Sequence, residues 1–371
     1  MAVSAIYVHI PFCRSKCNYC DFTSYVQPPS CHAAYVAALR QEIAQWQQRE
    51  DLSAVKSIYF GGGTPTALKA EQLAELLRAL LAGGAEPQEL TVEANPETVD
   101  AAYLTVLREA GFNRLSLGAQ SFNAQLLRDM GRIHGPEKIG AAVAAARTAG
   151  FTNCGVDLIY GLPGQTLAMW REDLAAAAAL QTEHLSLYSL QVAEDTPWGR
   201  AGVAEAEEEL SAQMLELAMD YLPTVGLRQY EIANFARPGC ESRHNSAYWQ
   251  RLDYLGLGAA AASCLGAHRW RNTDDLADYA AAVASGRQPL AEEEQLTAAQ
   301  VRGEAMFLGL RLLDGVDAAA FAARYGSAPQ QIWGAEIDEL LAAGLLVQEA
   351  GKYRLTRRGL LLGNYVFEHF V

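Results

Sequence analysis

Three cysteines within eight residues constrain this chain more than any other feature. Cys13, Cys17 and Cys20 lie on a short stretch directly after the apolar run Ala5 to Ile10, which reads as a β-strand. A loop this tight can wrap three thiolates around one inorganic body. Cysteine thiolates are the usual ligands of iron–sulfur clusters. A cubane has four irons, so three local ligands leave one iron open, as catalytic metal sites keep a position for substrate. Zinc sites usually pair Cys-x2-Cys with a second such pair or with histidines, and none follows. Three inert thiols beside Arg14 and Lys16 would be a poor way to fill a core. The stretch therefore reads as the cradle of a 4Fe–4S cluster with one iron accessible.

Composition limits what surrounds that cradle. The 371 residues are 50% hydrophobic and 19% charged, enough for a large core. Seven cysteines without framework spacing fit a reducing compartment. Cys31, Cys154, Cys240 and Cys264 are read as core thiols. The first residues lack a basic, cleavable leader pattern, and no apolar run reaches the length of a membrane span, so a cytoplasmic location is expected. Peripheral membrane contact stays open. The net charge of −14 disfavours general attraction to nucleic acid.

Beyond the first strand, extended runs alternate with helical ones. Val55 to Phe60, Leu90 to Glu93, Arg114 to Leu117, Cys154 to Tyr160 and His184 to Leu190 read as strands two to six. Tyr35 to Trp46, Ala70 to Leu81, Ala101 to Ala110, Glu137 to Thr148 and Leu167 to Leu180 read as the helices between them. Such alternation implies a parallel sheet covered by helices. Six units predict an α/β fold with a partial (β/α)6 barrel over residues 1–235, with a doubly wound sheet as the structural alternative. Residues 236–300 read as a connecting segment that carries His244-Asn245-Ser246-Ala247-Tyr248-Trp249. Residues 301–371, with short strands near Leu346 and Lys352–Leu355, resemble a winged-helix arrangement. Its acidic surroundings argue for a substrate lid or partner surface and against DNA binding.

Ligands bind at the C-terminal ends of strands in parallel α/β folds. Each strand here ends in something chemically specific: the cysteine loop, Gly61-Gly62-Gly63-Thr64, Glu93-Ala94-Asn95-Pro96, Gly118-Ala119-Gln120-Ser121, Asp157 with Gly161 to Gly164, and Tyr188-Ser189. The glycines let backbone approach a ligand. Glu93 can accept hydrogen bonds from a ribose or an ammonium. Asp157, a carboxylate inside an apolar run, needs a partner and is expected to face the lumen.

Cys-x3-Cys-x2-Cys resembles the signature of radical S-adenosylmethionine (SAM) enzymes. Tyr7-Val8-His9-Ile10-Pro11-Phe12-Cys13, Gly61 to Thr66, Asp157 to Pro163 and the C-terminal module together are similar to the oxygen-independent coproporphyrinogen III oxidase family. The resemblance implies that Cys13, Cys17 and Cys20 hold the cluster and that Tyr7, Gly62, Gly63, Thr64 and Glu93 surround SAM. It also implicates Tyr19, Gln120, Arg132 and Asp157, which line a second SAM in the porphyrinogen dehydrogenases. Those enzymes carry a further cysteine two residues after the third ligand and a longer N-terminal tail. Here that position is Phe22, and the chain starts 12 residues before Cys13. Dehydrogenase activity is therefore expected to be absent. The His-Asn-x-x-Tyr-Trp string is similar to that of a heme-chaperone branch, which makes His244 the candidate heme ligand and implies an acceptor protein. Its sequence position is expected to put it near the barrel mouth. Read without the resemblance, His244 is a hydrogen-bonded histidine capping a loop beside a Tyr-Trp packing pair. Three functions stay open: a heme carrier, a decarboxylating dehydrogenase, and another radical SAM reaction such as methyl transfer.

Overall fold

The computed structural model describes residues 2–371. Strands β1 (Ala5–Ile10), β2 (Ser57–Gly62), β3 (Glu89–Ala94), β4 (Arg114–Gln120), β5 (Asn153–Tyr160) and β6 (His184–Ser189) lie side by side in sequence order, each parallel to the next. Between them run α1 (Pro29–Arg49), α2 (Ala70–Leu81), α3 (Ala101–Ala110), α4 (Ala124–Asp129), α5 (Pro136–Thr148) and α6 (Leu167–Ala179). The alternation of the strands explains the two faces. Ile6, Val8, Ile58, Phe60, Val92, Leu115, Val156 and Leu185 are buried and belong to the main core. Their neighbours Tyr7, Tyr59, Glu93, Ser116, Asp157 and Ser186 have the opposite parity and face the lumen.

After β6 come the short α7 (Pro197–Arg200) and α8 (Glu208–Tyr221). The chain then turns back through β7 (Arg228–Gln229) and β8 (Asn234–Ala236), with β8 antiparallel to β6. This return delivers α9 (Arg243–Trp249) to the N-terminal ends of the strands. Residues 236–300, expected to connect, instead extend the sheet. There β9 (Tyr254–Leu257) pairs parallel with β1, and β10 (Ala262–Leu265), β11 (His268–Asn272) and β12 (Leu290–Gln295) continue it antiparallel. The result is one twelve-stranded mixed sheet. The helix α10 (Leu276–Ala284) lies between β11 and β12, and α11 (Ala298–Gly309) follows. The C-terminal module has its own small antiparallel sheet, β13 (Val316–Asp317), β14 (Leu346–Glu349) and β15 (Lys352–Leu355), with helices and a separate core.

Among the four cysteines read as core thiols, Cys154 and Cys264 are buried and Cys240 is half-buried. Cys31 is exposed, because it sits in the first turn of α1 rather than on the helix face that packs inward.

Glu42 binds the extension to the barrel. This buried carboxylate on α1 accepts from Gly258 N at 2.7 Å, Tyr279 Oη at 2.7 Å and Asn272 Nδ2 at 2.9 Å. Burial pushes its pKa up, and the three donors oppose the rise. Glu42→Ala leaves these buried donors without an acceptor. It is expected to lower unfolding free energy by roughly 3 kcal/mol, read as a lower denaturant midpoint at unchanged slope.

Candidate functional site

The cysteine loop closes on itself. Tyr25 N donates to Pro11 O at 2.7 Å and Cys13 N to Tyr25 O at 3.0 Å, so the ends of the loop lie together beyond β1. Lys16 Nζ ties the loop internally, donating to Phe22 O at 2.6 Å and Ser24 Oγ at 2.9 Å. Asn18 N donates to Met130 O at 3.0 Å, which anchors the loop across the rim. All three cysteines are half-buried and line one cavity of about 340 Å³.

The end of β2 is shaped around that loop. Gly63 N donates to Ile10 O and Thr64 N to Phe12 O. A Cβ on Gly63 would stand 3.0 Å from Cys13 Sγ and 2.8 Å from Phe12 O. Gly62 has φ +117°, and a Cβ there would strike the His9 ring at 2.7 Å. Larger residues at these two positions would push the cysteine loop away.

Gly62, Gly63, Thr64, Glu93, Gln120, Arg132, Asp157 and Tyr19 all reach this cavity with the cysteines. Arg132 joins several strand ends: one nitrogen donates to Asn95 Oδ1 and Gly118 O, both at 2.7 Å, and another lies 3.6 Å from Cys17 Sγ. Gln120 has φ +69° beside a register shift between β4 and β5, a strained backbone position at the strand end. Tyr19 is packed against Trp198 with ring centres 6.1 Å apart, and burial raises its pKa. Asp157 accepts from Ser116 Oγ at 3.1 Å, and burial raises its pKa against the pull of Ser186 and Arg114. Glu93 accepts from Tyr59 Oη at 2.6 Å and Gly62 N at 3.2 Å. Burial pushes its pKa up to about 7, with the nearby Asp157 charge adding to the rise.

Tyr7 does not line the cysteine cavity. It lines a second cavity of about 790 Å³ that shares Tyr59, Gly62, Glu93 and Tyr188 with the first. This second space runs past His244, Tyr248 and Trp249 on α9 to Phe307 and Leu308 on α11. His244 is 1% exposed. Its Nδ1 is hydrogen-bonded to Ser57 Oγ at 3.1 Å and its Nε2 to Tyr248 Oη at 2.9 Å. Its ring stacks on Tyr59 at 5.0 Å. Burial, aided by Arg114, lowers its pKa to about 3, so the imidazole is neutral. Ser57 begins β2, so His244 lies at the base of the lumen and not at the mouth. The antiparallel return through β8 is the physical reason. The motif is also a helix and not a loop, with Ser242 Oγ accepting from Asn245 N at its start.

Tyr59 was not among the expected site residues, and Asn95 and Tyr188 were expected only as parts of strand-end clusters, with no role of their own. Inward parity along their strands was the available signal for Tyr59 and Tyr188, whereas Asn95 matters through the distant Arg132.

The Glu93 carboxyl generates a pH dependence. Its native pKa stands above the unfolded value of about 4.3, so the native state holds this proton more tightly. The resulting contribution to stability is full below about pH 4 and is lost as pH rises through 7. Glu93→Gln is expected to flatten the fall in stability between about pH 5 and 7.5, measured by denaturant titration of the cofactor-free protein.

Residues 7–177 match the radical SAM superfamily, and residues 296–362 match the HemN C-terminal domain. The heme chaperone HemW of Bacillus subtilis is 37% identical, covering 100% of this chain and 99% of its own. That of Escherichia coli is 33% identical over 99% of this chain and 98% of its own. The solved E. coli coproporphyrinogen III oxidase (HemN), a radical SAM enzyme, matches with a TM-score of 0.85 at 25% identity, covering 100% of this chain and 90% of its own. With these relatives matched from end to end, and with three cysteines on one rim, the chain belongs to the HemW family of the radical SAM superfamily.

Proposed function

We propose that this protein is a heme chaperone: it binds heme beside a site for a 4Fe–4S cluster and SAM, and hands the heme to an acceptor protein. The observation that carries this reading is the pair of adjoining cavities, one lined by the three cysteines and the other by aromatic residues of β1 and α9. The names of the full-length relatives support it.

The residues present fit the cluster. Cys13, Cys17 and Cys20 share one wall, and Gly63 leaves room that any Cβ would take from Cys13. Among the described residues no three of His, Cys, Asp or Glu converge on a single-ion position. A cubane takes its thiolates on separate irons, so its ligands stand further apart. When bound, cluster and SAM supply one-electron chemistry. Glu93 and the glycines would hold the polar end of SAM, with Thr64 beside Cys13 at 3.5 Å. Arg132 and Asp157 would receive further polar groups of ligands in the same cavity. Tyr7, on the other side of Glu93, would face heme more than SAM.

His244 would offer a neutral imidazole to heme iron. Both ring nitrogens are already hydrogen-bonded, so ligation through Nε2 requires Tyr248 to release it. The fold shared with coproporphyrinogen III oxidase favours a second reading, oxidative decarboxylation of a porphyrinogen. Phe22 argues against that reading: it is 64% exposed and lines both cavities at the position where the dehydrogenases place a further cysteine.

Anaerobic reconstitution followed by hemin titration tests the proposal, with coproporphyrinogen turnover assayed in parallel. About four irons should bind per chain, Cys17→Ser should lose most of them, and hemin should give a shifted Soret band without porphyrinogen turnover. Protoporphyrinogen formed above the no-enzyme background would favour the dehydrogenase. For ligation, His244→Ala should weaken hemin binding and move the Soret band, whereas Tyr248→Phe, by freeing Nε2, should strengthen binding. Unchanged spectra in both variants would reduce His244 to a packing role.

A further inference from the structure

The aromatic cavity has one strongly charged wall. Arg251, Arg269 and Glu304 all line it, together with Tyr7 and His244. Glu304, on α11, joins the two guanidiniums: Arg251 Nε donates to one carboxylate oxygen at 3.0 Å and Arg269 Nη1 to the other at 2.7 Å. The Arg251 side chain is 7% exposed and that of Glu304 15%. The Arg269 side chain is 44% exposed, and its second nitrogen pairs with Glu294 at 2.6 Å on the solvent side. Asp253, also nearby, is committed to Gly266 N at 2.7 Å.

Arg251 is set by the turn that ends α9, where Leu252 N donates back to Ala247 O at 2.9 Å. Its φ is +49°, in the left-handed region that a residue with a side chain seldom adopts. The backbone is held there by its N–H to Tyr248 O at 2.9 Å and by Arg324 Nη2 donating to its carbonyl at 2.7 Å. It follows α9 directly, so the helix that carries His244 and Trp249 also sets the position of this guanidinium.

Resting on the heme reading above, we infer that Arg251 and Arg269 recognise the paired carboxylates of the ligand, the two propionates of a porphyrin, and that Glu304 competes with those propionates for the same guanidiniums. Two planar guanidiniums suit two carboxylates: Arg269 presents its fork to Glu304 and Glu294, and Arg251, whose Nη1 also donates to Gly266 O at 3.1 Å, keeps the Nε now on Glu304 for exchange. The aromatic surface of Tyr7, Tyr248 and Trp249 suits the ring, and the charged wall suits its acidic edge. The cavity thereby discriminates a dicarboxylate porphyrin from an esterified one, since the guanidiniums lose their exchange partner when the acids are masked.

The test compares hemin with hemin dimethyl ester on the reconstituted full chain. The unaltered protein should bind hemin at least about tenfold more tightly than the diester, the order of one charge-assisted hydrogen bond. Arg269→Met, at a half-exposed site, should reduce hemin affinity about tenfold and leave the diester unchanged. Glu304→Gln should raise hemin affinity severalfold, because the competing charge is gone. Arg251→Met should act like Arg269→Met wherever circular dichroism shows the fold intact. Equal affinity of the unaltered protein for hemin and diester, or parallel losses for both ligands in Arg269→Met, would overturn this assignment alone. Failure of the unaltered protein to bind either one would overturn the heme reading and this assignment with it.

Discussion

Glu89 accepts hydrogen bonds from the backbone N–H groups of Arg243 and His244, at 2.9 and 3.1 Å, and the shape of the aromatic cavity depends on it. The first turn of a helix has N–H groups without intrahelical partners, and a carboxylate there is favoured by the helix dipole as well. Glu89 is 4% exposed at the start of β3, so those donors are also what makes its burial tolerable. The contact fixes α9 across the base of the lumen. From there His244 lies against Tyr59, and Tyr248 and Trp249 form a wall of the larger cavity. A helix of seven residues has little stability of its own; Glu89 and the Ser242 cap supply what its sequence lacks.

That dependence explains what could and could not be read from the chain. The six parallel strands were legible because their apolar runs end in glycine or polar clusters, and the intervening alanine-rich segments keep helical spacing. The cysteine loop was legible because three thiols so close have few other uses. The strands between residues 250 and 300 were not. Leu290 to Gln295, Leu-Ala-Glu-Glu-Glu-Gln, has no apolar alternation and is exposed along its whole length. It is a strand because β11 faces it with Arg269 against Glu294 and Arg271 against Glu292, pairs known only once the two segments are opposed. The place of His244 was hidden for a similar reason. Whether a motif after the sixth strand lies at the mouth or the base depends on the direction of return through β8, which two or three residues per strand do not announce.

The lumen itself departs from the habit of parallel barrels, which fill the interior with layers of branched apolar side chains. Here Tyr7, Tyr59, Glu93, Ser116, Asp157 and Ser186 occupy the inward positions. Burial raises the pKa of both carboxylates, and each is offset by nearby hydroxyl donors: Tyr59 for Glu93, Ser116 and Ser186 for Asp157. Long and short polar side chains on a curved sheet leave space that leucine and valine would have closed. Local packing stability has been given up where ligand-sized volume is kept, the pattern expected of a functional interior.

Tyr59 is where the two volumes meet. Its hydroxyl donates to Glu93 at 2.6 Å on the cysteine side, while its ring stacks on His244 at 5.0 Å on the aromatic side. There is little slack around it: a Cβ on Gly61 would fall 2.9 Å from Tyr59, 3.0 Å from Tyr7 and 3.1 Å from Glu93. A cationic group drawn to Glu93 competes with the Tyr59 hydroxyl for the same carboxylate. A planar ligand against His244 competes with the Tyr59 ring for the same face. Neither event needs a long chain of contacts to reach the other cavity, because both act on one phenol. Tyr59 thus gives a direct link between the two cavities, beside the Gly62, Tyr188 and Phe22 that they also share.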